Sequence, residues 1–160
     1  MSAPCVFDIY VAEGFVLTEF AGVVEVIRLA NRINANRLFE WNVRSAQGGT
    51  VTASSAVTVE TTPLPQRPDA DYLFVLGNTD PACPALSLGK ALANYTSRQA
   101  RVVLLSEAAA RYISETQGDP GSHTTHWENR TVLMERLGPF DTKATLAVES
   151  GSIITCAGMG

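Results

Sequence analysis

Hydrophobic residues recur along the first part of the chain with a strand period and then with a helix period. The run 5–11 is short, apolar and rich in β-prone residues. From Leu17 to Ile33 the apolar residues recur at positions that share one helix face. The pattern therefore predicts a strand followed by an amphipathic helix.

The next segment has the alternation that is typical of half-buried strands. In 39–45 apolar residues alternate with polar ones, which we expect to face solvent. The glycine pair 48–49 marks a turn, and 51–53 and 57–59 again have the composition of strands. Short, partly solvent-facing strands are predicted here.

A second block of elements begins after the prolines in 63–68. The run 72–77 is continuously apolar, which favours a central parallel strand covered by helices on both faces. A helix is predicted from about 84 to 98, a strand at 102–106 and a short Ala-rich helix at 107–114. This succession is the β-α-β alternation of a parallel sheet.

The last part of the chain predicts three short strands and one helix. The strands are placed near 123–125, 145–149 and 153–156, and the helix from about 127 to 137. Residues 156–160 form a small-residue turn where this architecture normally continues into another helix. We therefore expect a single domain over 1–160 that is truncated before its last helix.

Strands and helices that alternate through right-handed crossovers build a three-layer α/β fold with a doubly wound, mostly parallel sheet of the flavodoxin-like class. In such folds the ligand crevice lies at the carboxyl ends of the strands. This rule nominates Gly77 and Ser106, because each follows an apolar strand.

Composition and charge restrict the class of protein. The chain has 160 residues, 46% of them hydrophobic, which is enough to bury one core. Its net charge is −4 and its 12 Lys and Arg residues are scattered, which argues against DNA binding by this segment. No stretch has the pattern of a signal peptide or a transmembrane helix. We expect a soluble protein without a membrane partner.

The cysteines and the missing motifs exclude several kinds of site. Cys5, Cys83 and Cys156 are an odd number, lie far apart and lack the spacings of thiolate metal sites, so a reducing cytoplasm fits best. Paired His or Cys ligands and a Gly-rich phosphate loop are absent from the sequence. We predict no cofactor and no metal.

Ser106 stands between a predicted strand and a predicted helix, where α/β enzymes place a nucleophile. The flanking residues Glu107 and Ala108 lack the glycines that relieve crowding at such an elbow. A serine before a helix is also a common N-cap, and this interpretation is the stronger one from the residues alone.

Three further candidates come with a structural alternative. Glu19, in the first helix, either points into the crevice with a raised pKa or is a solvated carboxylate. Gly77 and Asn78 either offer backbone amides to an anionic or carbonyl ligand or form an ordinary turn.

A polar and aromatic cluster begins the helix predicted after 126. His126 is either a functional group or a buried structural histidine. Trp127 is either one wall of a cage for a ligand cation, with Glu107 or Glu128 supplying charge, or a core residue.

Several segments together resemble the N-terminal domain of AraC-type transcription regulators that carry a class I glutamine-amidotransferase-like (PfpI-like) fold. The resemblance covers almost the whole chain. The most specific segments are His-Trp-Glu-Asn in 125–129 and Thr-Cys-Ala-Gly in 155–158. The other segments are 14–17, 25–31, 41–45, 53–55 and 73–77.

In enzymes and relatives of this superfamily the elbow holds a cysteine nucleophile, a histidine assists it and a glutamate of the first helix shares a proton with it. The resemblance places these roles at Ser106, His126 and Glu19. Serine here replaces cysteine, and Glu107-Ala108 stand where relatives commonly have Thr-Gly. Because a serine hydroxyl is a poor nucleophile without an aligned base, we expect no catalysis.

The resemblance implies a domain that binds a small metabolite and supports a homodimer, while helix-turn-helix motifs outside these 160 residues read DNA. The implied ligands are amino acids or quaternary amines such as carnitine and betaine. Cys156 resembles a core position and is expected to be a buried, inert thiol. The expected ligand-binding residues are Glu19, Gly77, Asn78, Ser106, Glu107, His126 and Trp127.

Two alternatives stay open at this point. One is a PfpI-like hydrolase or lyase that uses Ser106 with His126. The other is a purely structural dimerisation domain whose pocket has decayed.

Overall fold

The structure is a computed structural model that describes residues 3–34, 37–78, 87–116, 123–138 and 145–158. The strands are β1 (Cys5–Tyr10), β2 (Phe39–Ser45), β3 (Gly49–Thr52), β4 (Thr58–Pro63), β5 (Tyr72–Val75), β6 (Arg101–Leu105), β7 (Ala147–Ser150) and β8 (Ile153–Cys156). The helices are α1 (Leu17–Ile33), α2 (Leu88–Thr96), α3 (Ser106–Thr116) and α4 (Trp127–Leu137).

The strands form one eight-stranded sheet in the order β3-β4-β2-β1-β5-β6-β8-β7. The six inner strands of the sheet are parallel, in the order β4, β2, β1, β5, β6 and β8. At the two edges, β3 and β7 each add an antiparallel strand. The predicted doubly wound, mostly parallel sheet of the flavodoxin-like class is confirmed. The order reverses between β1 and β5, where such sheets open a crevice at their carboxyl ends.

Two predicted elements differ from the structure. Residues 123–125 are not a strand; the Thr124 amide instead donates to the Thr155 side chain at 2.9 Å, which holds the segment beside β8 without a backbone ladder. The helix predicted over 84–98 begins at Leu88 and ends at Thr96, and residues 84–86 lie outside the described residues.

The helices cover the two faces of the sheet unequally. On one face α2 and α3 supply Leu88, Tyr95 and Ala109 to a core with Leu73 and Leu104. α4 packs on α3. On the other face α1 packs over a second core, which includes Ile9, Val11, Phe15 and Ile27. Among the described helices, α1 is therefore the main cover of that second face.

A buried carboxylate joins β1 to its neighbours. Asp8 is fully buried and accepts hydrogen bonds from Tyr95 at 2.7 Å, from Arg44 at 2.8 Å and from Asn42 at 3.0 Å. The expectation that the polar side chains of 39–45 face solvent is thus wrong for Asn42 and Arg44. Three donors compensate the cost of burying the charge.

In the described part of the chain, no helix is long and apolar enough to cross a membrane.

Candidate functional site

The site is built around a sharp strand-to-helix junction. β6 ends at Leu105 and α3 begins at the next residue, Ser106, so the chain reverses without a loop. Ser106 has φ +44°, in the left-handed region that non-glycine residues rarely adopt. Such strain is typical of functional positions, because the surrounding structure must compensate for it.

The Ser106 hydroxyl does not cap α3. It is buried and donates a hydrogen bond to Oε1 of Glu19, in the first turn of α1. The interpretation of Ser106 as an N-cap is therefore wrong, because its side chain faces a carboxyl group and not the first amides of the helix. The elbow geometry is present although the sequence lacks the usual glycines.

Glu19 is the buried carboxyl at the centre of the site. Its side chain is only 3% exposed, and Oε2 accepts a hydrogen bond from the Gly77 amide at 3.3 Å. Burial raises the pKa of Glu19, although the bonds from Ser106 and Gly77 oppose the rise. The negative charge of Glu107 raises this pKa further.

Two glycines allow the backbone to approach these groups. A Cβ at Gly158, which has φ +80°, would overlap Oγ of Ser106 and lie 2.8 Å from Oε1 of Glu19. A Cβ at Gly77 would overlap Oε2 of Glu107. The ends of β5 and β8 thus close on the elbow because they carry no side chain there.

Thr125 and His126 approach the elbow from the segment before α4. The Thr125 hydroxyl donates to the Ser106 carbonyl at 2.7 Å and fixes the junction from outside. His126 caps α4, since its Nδ1 accepts from the Glu128 amide at 3.4 Å.

Glu107 follows Ser106 and contributes a second carboxyl. Its Oε2 atom is buried and has no hydrogen-bond partner among the described residues. A buried carboxylate oxygen without a donor is costly, so this atom is a natural acceptor for a ligand.

Asn78 and Trp127 lie at the margin of this arrangement. The Asn78 side chain donates to the Glu13 carbonyl at 3.4 Å, and its backbone bridges to Phe15. Trp127 is 65% exposed, with its ring centroid 5.6 Å from that of His126. Trp127 is therefore not a core residue.

Residues that the sequence analysis did not include among the ligand-binding residues also border the elbow. Cys156 pairs in register with Leu105 and is half-buried, and Gly158 and Thr125 contact Ser106 or its partners. Burial and the charge of Glu19 raise the pKa of the Cys156 thiol, which favours the unreactive protonated form. The Thr-Cys-Ala-Gly segment of the sequence contains Cys156 and Gly158, but residue spacing alone does not assign a function to either of them.

The arrangement suits binding better than nucleophilic attack. Glu19 holds the Ser106 hydroxyl, and its raised pKa favours the neutral acid, which is a poor base. Within the described ranges, no group of three His, Cys, Asp or Glu residues is placed to hold a metal ion.

Comparison with curated proteins finds a transcriptional regulator that is similar to this chain. The chain is 30% identical over 154 residues to the HTH-type transcriptional regulator CdhR of Pseudomonas aeruginosa. The match includes 91% of this chain but 44% of the regulator, so the chain spans less than half the length of that relative. No family model matches the chain.

Solved structures of the same fold are numerous. An AraC family transcriptional regulator from Pseudomonas putida has a TM-score of 0.76 and 20% identity over 96% of this chain and 84% of its own. A DJ-1 superfamily protein from Agrobacterium tumefaciens has a TM-score of 0.73 and 20% identity, covering 96% of this chain and 82% of its own. A ThiJ/PfpI domain protein from Brachyspira murdochii has a TM-score of 0.67 and 14% identity, and the match covers 98% of this chain and 89% of its own.

These likenesses agree with the resemblance inferred from the sequence. The solved structures establish the fold, and the curated relative connects it with a regulator of the HTH type. The chain therefore has the fold of DJ-1 superfamily and ThiJ/PfpI domain proteins, and over most of its length it is similar to part of an HTH-type transcriptional regulator.

Proposed function

We propose that this chain is the effector-sensing and dimerisation domain of a cytoplasmic AraC-type transcription regulator. It binds a small metabolite beside Glu19, Ser106 and Glu107, and DNA is read by parts of the regulator outside residues 1–160. The observation that carries the proposal is the buried Ser106 hydroxyl, bonded to Glu19 at an elbow where the enzymes of this superfamily hold a thiol. The regulator relative supports the same assignment.

The charge of the site favours a cationic ligand. The charge of Glu107 raises the pKa of Glu19 and His126 opposes this rise, while no Lys or Arg is among the groups that shift Glu19. A ligand cation would relieve this repulsion.

The unpartnered Glu107 Oε2 favours one of the two ligand classes expected from the resemblance. An amino acid carries an ammonium with N–H donors, which can satisfy this oxygen. The quaternary ammonium groups of carnitine and betaine have no N–H, so the charged group of these ligands cannot donate a hydrogen bond to this oxygen. The exposed Trp127 is too open for a closed aromatic cage. We therefore place amino acids ahead of quaternary amines.

A thermal-shift screen with free amino acids, carnitine and glycine betaine tests the proposal. A ligand at about 100 times its Kd is expected to raise the melting temperature by roughly 5–10 °C. Glu107→Gln should abolish most of this shift. Glu135→Gln, at an exposed position of α4, is the matched control and should retain it.

The outcomes are distinct. Stabilisation by carnitine or betaine but by no amino acid would reverse the ranking of ligands. A shift that survives Glu107→Gln would place binding elsewhere. A stable dimer that no metabolite stabilises would favour the purely structural domain.

A PfpI-like hydrolase or lyase using Ser106 and His126 is the second candidate, and the left-handed elbow at Ser106 favours it. Its test is turnover of small amides, peptides and aldehydes by the purified chain. Activity that disappears in Ser106→Ala and survives in Ser114→Ala, on the same helix, would establish catalysis and overturn the sensing proposal.

A further inference from the structure

Two side chains of α3 carry buried polar atoms that have no partner. Oε2 of Glu107 and Nε of Arg111 are both closed to water, and neither has a hydrogen-bond partner among the described residues. The first atom is an acceptor of a carboxylate, and the second is a donor of a guanidinium. Buried polar atoms are normally paired, so these two indicate that the described residues alone do not complete the site.

The two side chains are neighbours on one face of α3. Residues four apart on a helix have Cβ atoms about 5–6 Å from each other. Both groups can still be reached from solvent, since Glu107 is only partly buried and the Arg111 side chain is 26% exposed. Arg111 also approaches Glu115, whose Oε1 lies 3.9 Å from Nε, but this distance is too long for a hydrogen bond. The exposed pair therefore does not account for the buried Nε.

Both groups lie where the sheet topology opens a ligand crevice. A Cβ at Gly77, just after β5, would overlap Oε2 of Glu107. Burial raises the pKa of Tyr10, the last residue of β1, and the charge of Arg111 lowers it, so the guanidinium is near this phenol. Tyr10 pairs in register with Val75 of β5. The strand order reverses between β1 and β5, and ligands of such sheets bind at this point.

We propose that Glu107 and Arg111 together recognise the zwitterionic head of a free α-amino acid. The α-ammonium donates to Oε2 of Glu107, and the α-carboxylate accepts from Nε and an adjacent Nη of Arg111. This inference rests on the proposed sensing function and adds to it the group that binds the carboxylate. One edge of a guanidinium binds a carboxylate through two parallel hydrogen bonds, and that edge includes the unpartnered Nε.

The spacing of the pair selects among zwitterions. An α-amino acid carries both charges on one carbon, which suits two side chains that are neighbours on a helix face. Carnitine separates its charges by several carbons, and glycine betaine has no N–H for Glu107. The α-amide of an amino acid keeps the ammonium but has no carboxylate for Arg111. A site whose buried polar groups stay unpaired rejects such analogues strongly.

The test first selects, by thermal shift, the standard L-amino acid that stabilises the purified chain most. Calorimetric titration then gives the Kd of this amino acid and of its α-amide. Arg111→Gln should weaken binding of the amino acid by about 10- to 100-fold and of the amide by several-fold at most. Arg136→Gln, at an exposed position of α4, is the matched control and should change neither Kd. Glu115→Gln, which removes the exposed partner of Arg111, should weaken neither.

The outcomes separate this inference from the proposed function. Equal losses for the amino acid and its amide in Arg111→Gln would overturn the carboxylate contact. Stabilisation by carnitine or glycine betaine and by no amino acid would also overturn it, but would leave the sensing function intact. Stabilisation by no metabolite would overturn both. If Arg111→Gln does not fold, Arg111→Lys gives the same comparison, because lysine keeps the charge and loses the paired donors.

Discussion

At Gly158 the backbone comes close to the Ser106 and Glu19 side chains. Alanine there would place its Cβ on the Ser106 hydroxyl and hold an L-residue at φ +80°. We expect Gly158→Ala to lower the free energy of unfolding by about 1–3 kcal/mol and to weaken ligand binding. Gly89→Ala is the control, because a Cβ at Gly89 meets nothing within 4 Å. Urea unfolding of both variants makes the comparison, and an unaffected Gly158→Ala would refute the close approach.

Glu19 makes the stability of the domain depend on pH. Because folding raises its pKa, the folded state holds the proton more tightly, and this contribution is present below the ordinary value of 4.5. It is lost as the pH rises through the raised pKa. Glu19→Gln lacks this titration, so the variant should gain stability relative to the parent as the pH rises through this window.

Urea unfolding at several pH values between about 4 and 8 measures this difference. Glu135→Gln, which replaces an exposed carboxyl on α4, is the matched control. A difference between Glu19→Gln and the parent that stays constant or falls with rising pH would contradict the raised pKa.

Single residues also show which parts of the candidate site could be predicted from the sequence and which could not. Glu19 and Ser106 were nominated from a helix face and a strand end, and the structure brings their side chains into contact. The N-cap interpretation of Ser106 is wrong, because a serine at the end of a strand and before a helix is compatible with either role, and only its φ of +44° and its bond to Glu19 identify the elbow. Trp127 is exposed to solvent, and this exposure depends on how α4 packs on the rest of the fold, which the local sequence pattern does not determine.

At the level of elements, the hydrogen bond from Tyr95 of α2 to Asp8 of β1 connects this helix to the sheet. Tyr95→Phe removes this donor and leaves the buried Asp8 carboxylate with Asn42 and Arg44. We expect a loss of about 1–3 kcal/mol in the free energy of unfolding. Tyr72→Phe, at a half-buried ring stacked on Phe7, should cost less than about 0.5 kcal/mol. Equal losses in chemical denaturation would argue against the buried bond.

Most elements could be predicted because their periodicity is local. α1 occupies Leu17–Ile33 and α4 occupies Trp127–Leu137, as the pattern predicts. The segment 123–125 was wrongly predicted as a strand, because the β-prone Thr124 and Thr125 donate their hydroxyls to the carbonyls of Thr145 and Ser106. The bonds of Asn42 and Arg44 to Asp8 could not be predicted either, since they join residues from separate strands.

For the whole molecule, the alternation of strands and helices was sufficient to predict the doubly wound sheet, because right-handed crossovers leave few topologies. The uneven cover of its two faces was not predictable in the same way. The cover of each face depends on which strands α1 packs against in the folded protein. Phe7 of β1 and Phe74 of β5 line one cavity beside α1 only because these two strands are adjacent.

The charge of the whole chain predicts that it does not bind DNA by itself. Proteins bind duplex DNA mainly by neutralising phosphates with clustered Lys and Arg, whereas this chain has a net charge of −4 and scattered basic residues. In a gel-shift assay with a random duplex at about 50 mM salt, we expect no complex up to roughly 100 μM protein. A ligand that stabilises the chain should not change this result, because it adds no phosphate contacts. Retardation that weakens steeply with added salt would instead reveal a basic surface in this domain.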